Sequence, residues 1–99
     1  MLEKELEARL VHGVKALGGR AYKFVSPGNV GVPDRIVVLP EGRIIFVELK
    51  ADFGRVSAVQ QKQIQDLRRV GCRVEVVRGL QGVERFLQEC RTARGVEAG

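Results

Sequence analysis

The stretch GVPDRIVVLPEGRIIFVELK, residues 31–50, has an apolar run on either side of Pro40-Glu41-Gly42 and reads as a β-hairpin. Asp34 stands where the hairpin opens, and Glu48 and Lys50 stand where it ends. Asp34 lies seven residues before Glu41 and Glu48 seven after it, so antiparallel pairing about that turn sets the two carboxylates opposite each other. Glu48 and Lys50 are two apart and project from one face of their strand, while Leu49 points the other way, into the core. Three ionisable groups therefore converge at the open end. Two neighbouring carboxylates repel unless a positive charge sits between them. A divalent cation such as Mg²⁺ meets that need, because it prefers oxygen ligands, accepts one or two carboxylates and keeps waters that can be activated. An ammonium beside it can orient a water and offset charge developing on phosphorus. The competing reading is plain: a surface salt bridge of Asp34 or Glu48 with Lys50 or Arg35.

Upstream, residues 2–17 read as a helix, because Leu6, Leu10, Val14 and Leu17 share one face and Gly18-Gly19 follows them. Residues 20–25, RAYKFV, make a short strand, and SPGNVGVP after it makes a loop. Beyond strands at 35–39 and 43–49, a connection over 51–56 leads to a helix that Ser57 caps and that runs to about Val70. Gly71 stops that helix. RVEVVR, 73–78, is a fourth strand, and a last helix from Gly82 to about Arg91 carries Val83, Phe86 and Leu87. The tail 92–99 is expected to be flexible. The order α-β-β-β-α-β-α has a helical crossover before its last strand, so it predicts an α/β fold with a mixed central sheet flanked by helices. A length of 99 residues suits one domain, 1–99.

Two helical faces bear on the hairpin. On a wheel at about 100° per residue, Glu3 and Glu7 fall within the apolar arc of the first helix and Glu5 falls outside it. Carboxylates on a sheet-facing side need a partner or an ion. An N-terminal dipole effect also explains acidity there, though not the face that carries it. In the second helix Gln60 lines up with Ile64 and Leu67, whereas Gln61 does not. A core-facing amide at that helix start either reaches the site or caps a backbone group.

Composition narrows the class less than the hairpin does. Apolar content of 44% and charged content of 29% are ordinary for a globular chain. No apolar run approaches the roughly 20 residues of a membrane helix, and the amphipathic, acidic MLEKELEARL does not read as a signal peptide. Cys72 and Cys90 have neither C-x-x-C nor His-paired spacing, so they are expected to be free thiols in a reducing, cytoplasmic setting, with no thiolate metal site. The net charge of +5 favours a polyanion weakly, being spread along the chain. Arg20, Lys23, Arg35, Arg55 and Lys62 lie near the hairpin in sequence and are candidates to meet phosphates, each weighed against a role as a solvated charge. With few aromatics, backbone and shape recognition suits the chain better than base stacking. The loop Ser26 to Val32 is a candidate contact to DNA or to a partner subunit, or else a flexible turn. His12, alone on the first helix, is read as a structural or surface histidine.

The pair PD at 33–34 with E-x-K at 48–50 resembles the PD-(D/E)xK nuclease signature. Taken with GRVSAVQ and LRRVGCRVEVV, the hairpin resembles a stand-alone VRR-NUC domain from about Glu3 to Leu87. That resemblance implies a restriction-endonuclease-like core. It also implies similarity to homodimeric Holliday-junction resolvases of bacteria and phages, acting in the bacterial or phage-infected cytoplasm. By position, Asp34 and Glu48 would be metal ligands, with Lys50 the catalytic lysine, Gln60 the glutamine after the E-x-K strand, and the Leu49 carbonyl a further ligand. The helix-one glutamate would be Glu7, preferred as the one further from the terminus, or Glu3. Ala58 stands where many members have proline, which should only loosen the helix start; no motif residue is missing. The expected activity is Mg²⁺- or Mn²⁺-dependent endonucleolytic hydrolysis of DNA at four-way junctions, with Lys50 assisting an attacking water. The alternatives are a non-catalytic DNA-binding module on the same fold and a nuclease without junction preference.

Overall fold

In the computed structural model, which describes residues 1–98 and side chains as far as Thr92, the hairpin forms in the expected register. Strand β2 (Arg35–Leu39) pairs antiparallel with β3 (Arg43–Lys50), Arg35 opposite Val47 and Leu39 opposite Arg43. Pro40–Gly42 closes the turn, with Glu41 at φ 70° and Gly42 at φ 74°. Strand β1 (Arg20–Lys23) pairs antiparallel with the other edge of β2, and β4 (Val74–Arg78) pairs parallel with β3, giving the order β1-β2-β3-β4. The mixed sheet is set by chain order: the first three strands follow as a meander, and the fourth is reached only through a helical crossover.

Alternation sorts the strands' two faces. Val37, Leu39, Ile45, Val47 and Leu49 are buried on one of them. Against it pack α1 (Glu3–Ala16), through Leu6, Leu10 and Val14, and α3 (Gly79–Ala98), through Val83, Phe86 and Leu87. The two helices meet where Gly13 is so close to Leu87 that no Cβ fits, and a two-pronged Arg9–Glu84 pair (2.6 and 3.0 Å) clasps their outer edges. On the opposite face lies α2 (Ala58–Arg69), which buries Ile64 and packs chiefly on β4, with Gln60 reaching Glu48 of β3.

The observed order is the expected α-β-β-β-α-β-α. Boundaries differ by more than a residue at three places. Strand β1 ends at Lys23 rather than residue 25, although the Phe24 N–H still donates to the Asp34 carbonyl at 2.8 Å. The last helix starts at Gly79, directly after β4, because that glycine at φ 62° lets the chain turn in one residue beside Asp52. It also continues to Ala98 instead of stopping near Arg91, there being no proline in 92–98 to break it. The last position of the tail expected to be flexible, Gly99, lies outside the described residues.

Candidate active site

Continuing the β2–β3 register by one residue sets Asp34 opposite Glu48. Past the last ladder pair the Asp34 side chain takes over the strand's role: its Oδ2 accepts the Leu49 N–H at 2.8 Å. A strand residue directs its N–H and C=O to the same side, so the Leu49 carbonyl faces the Asp34 edge as well. Glu48 is 1% exposed and is the buried charged residue in the core. Its Oε2 receives Lys50 Nζ at 3.3 Å and Gln60 Nε2 at 3.0 Å. Its Oε1 is buried without a hydrogen-bond partner.

Gln60 plays both of the roles open to it. Its backbone N–H donates to Ser57 Oγ at 3.2 Å, while its own Oε1 accepts the Ser57 N–H at 2.9 Å, a reciprocal cap of α2. With the oxygen held there, the amide nitrogen is aimed at Glu48. The capped helix end is itself braced by the loop over 26–32. Gly31, at φ 90°, passes so near the Val59 and Gln60 backbone that an added Cβ would lie 2.9 to 3.1 Å from it, and Gln63 Nε2 donates to the Val30 carbonyl at 3.2 Å. The loop is thus docked on α2.

Burial raises the Glu48 carboxyl above its ordinary value; the Asp34 charge and, more weakly, Glu3 push the same way, and Lys50 opposes them. Glu3 is the helix-one glutamate whose charge bears on Glu48. Glu7, a turn further on, lines a hollow with Lys4, His12 and Arg35. Glu5 supplies the helix-end effect, accepting the Leu2 N–H at 3.1 Å. Among the described residues no three His, Cys, Asp or Glu side chains form a group that would hold an ion alone. The oxygens brought together are those of Asp34 and Glu48, beside the Leu49 backbone. An all-oxygen set with one desolvated, unpartnered carboxylate oxygen fits a hard divalent cation. The ion pair expected as an alternative does form between Lys50 and Glu48, but it is buried rather than on the surface, their side chains being 17% and 1% exposed.

The candidate phosphate contacts scatter. Arg20 and Lys23 are exposed on edge strand β1. Arg35 is half-buried, with Nη1 on the Ala21 carbonyl at 3.3 Å. Lys62 is paired with Asp66 at 3.0 Å. Arg55 opens onto a cleft between α2 and β4 that also takes Arg68 and Arg78. Neither of those two is marked in the sequence near the hairpin; the signal was Arg68, one turn beyond Ile64, and Arg78, which is Lys50's partner once the parallel register is known.

A mixed sheet flanked by helices, with a PD…E-x-K constellation folded into one site, defines a nuclease domain of the PD-(D/E)xK kind. The VRR-NUC domain matches residues 4–81, and the chain belongs to that family. It is 48% identical over 75 residues to "Putative nuclease p44" of Acyrthosiphon pisum secondary endosymbiont phage 1, an alignment spanning 76% of this chain and 81% of that protein. A solved VRR_NUC domain superposes with a TM-score of 0.82 at 30% identity, over 87% of this chain and 94% of the other. A second, a VRR_NUC domain protein, shares the fold at a TM-score of 0.64 and 20% identity, over 90% and 87% of the two chains.

Proposed function

We propose that this chain is a metal-dependent endonuclease that hydrolyses DNA phosphodiesters, selects four-way junctions and works as a homodimer. The observation that carries the reading is the buried Glu48, with one oxygen held by Lys50 and Gln60 and the other unpartnered beside Asp34. Mg²⁺ or Mn²⁺ would be held by Asp34, Glu48, the Leu49 carbonyl and a helix-one glutamate, Glu7 or Glu3. Such an ion supplies neutralisation of the paired carboxylates and Lewis-acid activation of water and phosphoryl oxygen.

The chain's own groups do the rest. Gln60, pinned to the end of α2, holds the Glu48 carboxylate in one orientation. Lys50, held against that carboxylate at 3.3 Å, places its remaining N–H donors toward the attacking water and the phosphoryl oxygens. The water's oxygen bonds to phosphorus as it gives up a proton to solvent, the bond to the leaving sugar oxygen breaks, and that oxygen takes up a proton from solvent. Dimerisation is supported by the part of the sheet that α2 leaves uncovered. There Tyr22 and Ile44 are 57% and 53% exposed on the face they share with Ile36, Val38 and Phe46. A twofold dimer would present two sites to a near-twofold junction.

The test is cleavage of supercoiled plasmid, linear duplex, flap and synthetic four-way junction with Mg²⁺ or Mn²⁺. Lys50→Ala, Asp34→Asn and Glu48→Gln are each expected to slow cleavage by about 100-fold or more. Binding without nicking, unchanged in Lys50→Ala, would point instead to a non-catalytic DNA-binding module. Equal rates on duplex, flap and junction would remove the junction preference, and light scattering at micromolar concentration reporting about the 11.0 kDa of one chain would remove the dimer.

A further inference from the structure

The cleft between α2 and β4, about 490 Å³, is walled by Arg55, Arg68 and Arg78 together with Gln61 and Gln65, over a floor of Val56, Ile64 and Val76. No carboxylate lines it. Several cations elsewhere on the described surface are matched by carboxylates: Arg9 with Glu84, Lys62 and Arg69 with Asp66, Arg73 with Glu75. Three guanidiniums gathered over an apolar floor repel one another and focus a positive potential, an arrangement that an anion relieves. Two of them are fixed in place. Arg68 donates through Nε and Nη2 to the Val74 carbonyl at 3.2 and 2.6 Å, and Arg78 donates through Nε to the Gly54 carbonyl at 3.3 Å. Each keeps terminal N–H groups for a ligand, and little freedom is left to lose on binding.

The cleft's position selects the anion. In the parallel β3–β4 register Glu48 pairs with Val76 and Lys50 with Arg78, so these four side chains share one face, with the two strands about 4.8 Å apart. Gln60 and Gln61, consecutive on the first turn of α2, serve the carboxylate site and the cleft respectively. A ligand lying on Lys50 is therefore continuous with one lying on Arg78. The geometry points to the α2–β4 cleft as the seat of the backbone phosphates that flank the scissile one on the same DNA strand. This rests on the nuclease reading and extends it to the side of the site from which the strand is gripped.

The experiment is DNA binding by fluorescence anisotropy in EDTA, where no cleavage intervenes, across a KCl series. It compares wild type with Arg55→Gln, Arg78→Gln, Arg78→Lys and, as a control, Lys15→Gln. Removing a phosphate-contacting arginine is expected to weaken binding by about 3- to 10-fold and to flatten the slope of log K against log salt by about 1. Arg78→Lys should keep most of the slope, and Lys15→Gln all of it. Arg55 makes no hydrogen bond or ion pair within the described residues, so its variant tests the cleft without disturbing the fold. Wild-type affinity and slope in both glutamine variants overturn the cleft and leave cleavage at Asp34, Glu48 and Lys50 standing. An arginine-dependent slope in a protein that cuts no DNA overturns the nuclease reading alone. Thermal stabilisation by pyrophosphate that is lost in the glutamine variants, with their DNA slope unchanged, assigns the cleft to a free anion and overturns the strand assignment.

Discussion

A carboxyl group that is 1% exposed beside a second carboxylate holds its proton more tightly than one in water, and Glu48 is raised accordingly by burial first and Asp34 second. Because its folded value lies above its unfolded one, Glu48 contributes stability that is complete below the ordinary carboxyl value and is lost as pH rises through the raised value. In EDTA, urea unfolding should therefore show wild type losing stability relative to Glu48→Gln between acidic and neutral pH. Mg²⁺ or Mn²⁺ at neutral pH should raise the melting temperature of wild type and leave that of Glu48→Gln nearly unchanged. The neighbouring amide is testable separately. Gln60→Ala removes the side-chain half of the reciprocal α2 cap and the Glu48 contact, leaving the Ser57 Oγ cap in place, for a stability loss of about 0.5–1 kcal/mol and a fall in cleavage of about 10- to 100-fold from a misplaced carboxylate. Gln60→Glu keeps an oxygen for the Ser57 N–H but sets a charge against Glu48. It should recover the stability of the cap at low pH and lose it at neutral pH, measured by the same urea titration.

Elements differ in how far the sequence specifies them. The β2–β3 pairing was legible because a three-residue turn fixes its register, so the meeting of Asp34 with Glu48, and of Lys50 with Glu48, could be read from spacing. Which helix-one glutamate bears on Glu48 was not. Glu3 and Glu7 share an arc of the wheel and differ by about 6 Å along the axis, a height that only packing against the sheet decides. The arginine cleft was hidden for a related reason: β3 and β4 pair through a crossover, with no local turn to set which residues become neighbours. The loop at 26–32, read as a DNA or partner contact or a flexible turn, also braces α2, because Gly31 fits where no Cβ does. Gly31→Ala should destabilise the fold by about 2 kcal/mol or more and lower activity in parallel, by denaturant midpoint and cleavage rate. At the hairpin tip the non-glycine Glu41 holds φ 70° in the left-handed region, so Glu41→Asn should raise stability by about 0.5–1 kcal/mol in urea, leaving cleavage unaltered.

At the scale of the whole molecule, α1 and α3 close one face of the sheet over a continuous apolar core, whereas α2 covers only the β4 side of the other face. The two faces thus divide labour, one giving stability and the other carrying the carboxylates, the arginine cleft and the uncovered apolar strip. Cys90 belongs to the first face: its thiol is 1% exposed and burial pushes its pKa up, while Cys72, in the turn before β4, is only half-buried. The protein thereby carries its own clock. An aromatic disulfide reagent should modify Cys72 promptly and Cys90 only as often as α3 lifts from the sheet, so the slow phase, followed by absorbance, measures the frequency of opening. Any ion or nucleic acid that binds only the closed form must lengthen that phase by a factor of one plus the ratio of free ligand concentration to Kd, which makes a native sulfur atom a gauge of ligand affinity that needs neither a label nor a cleaved product.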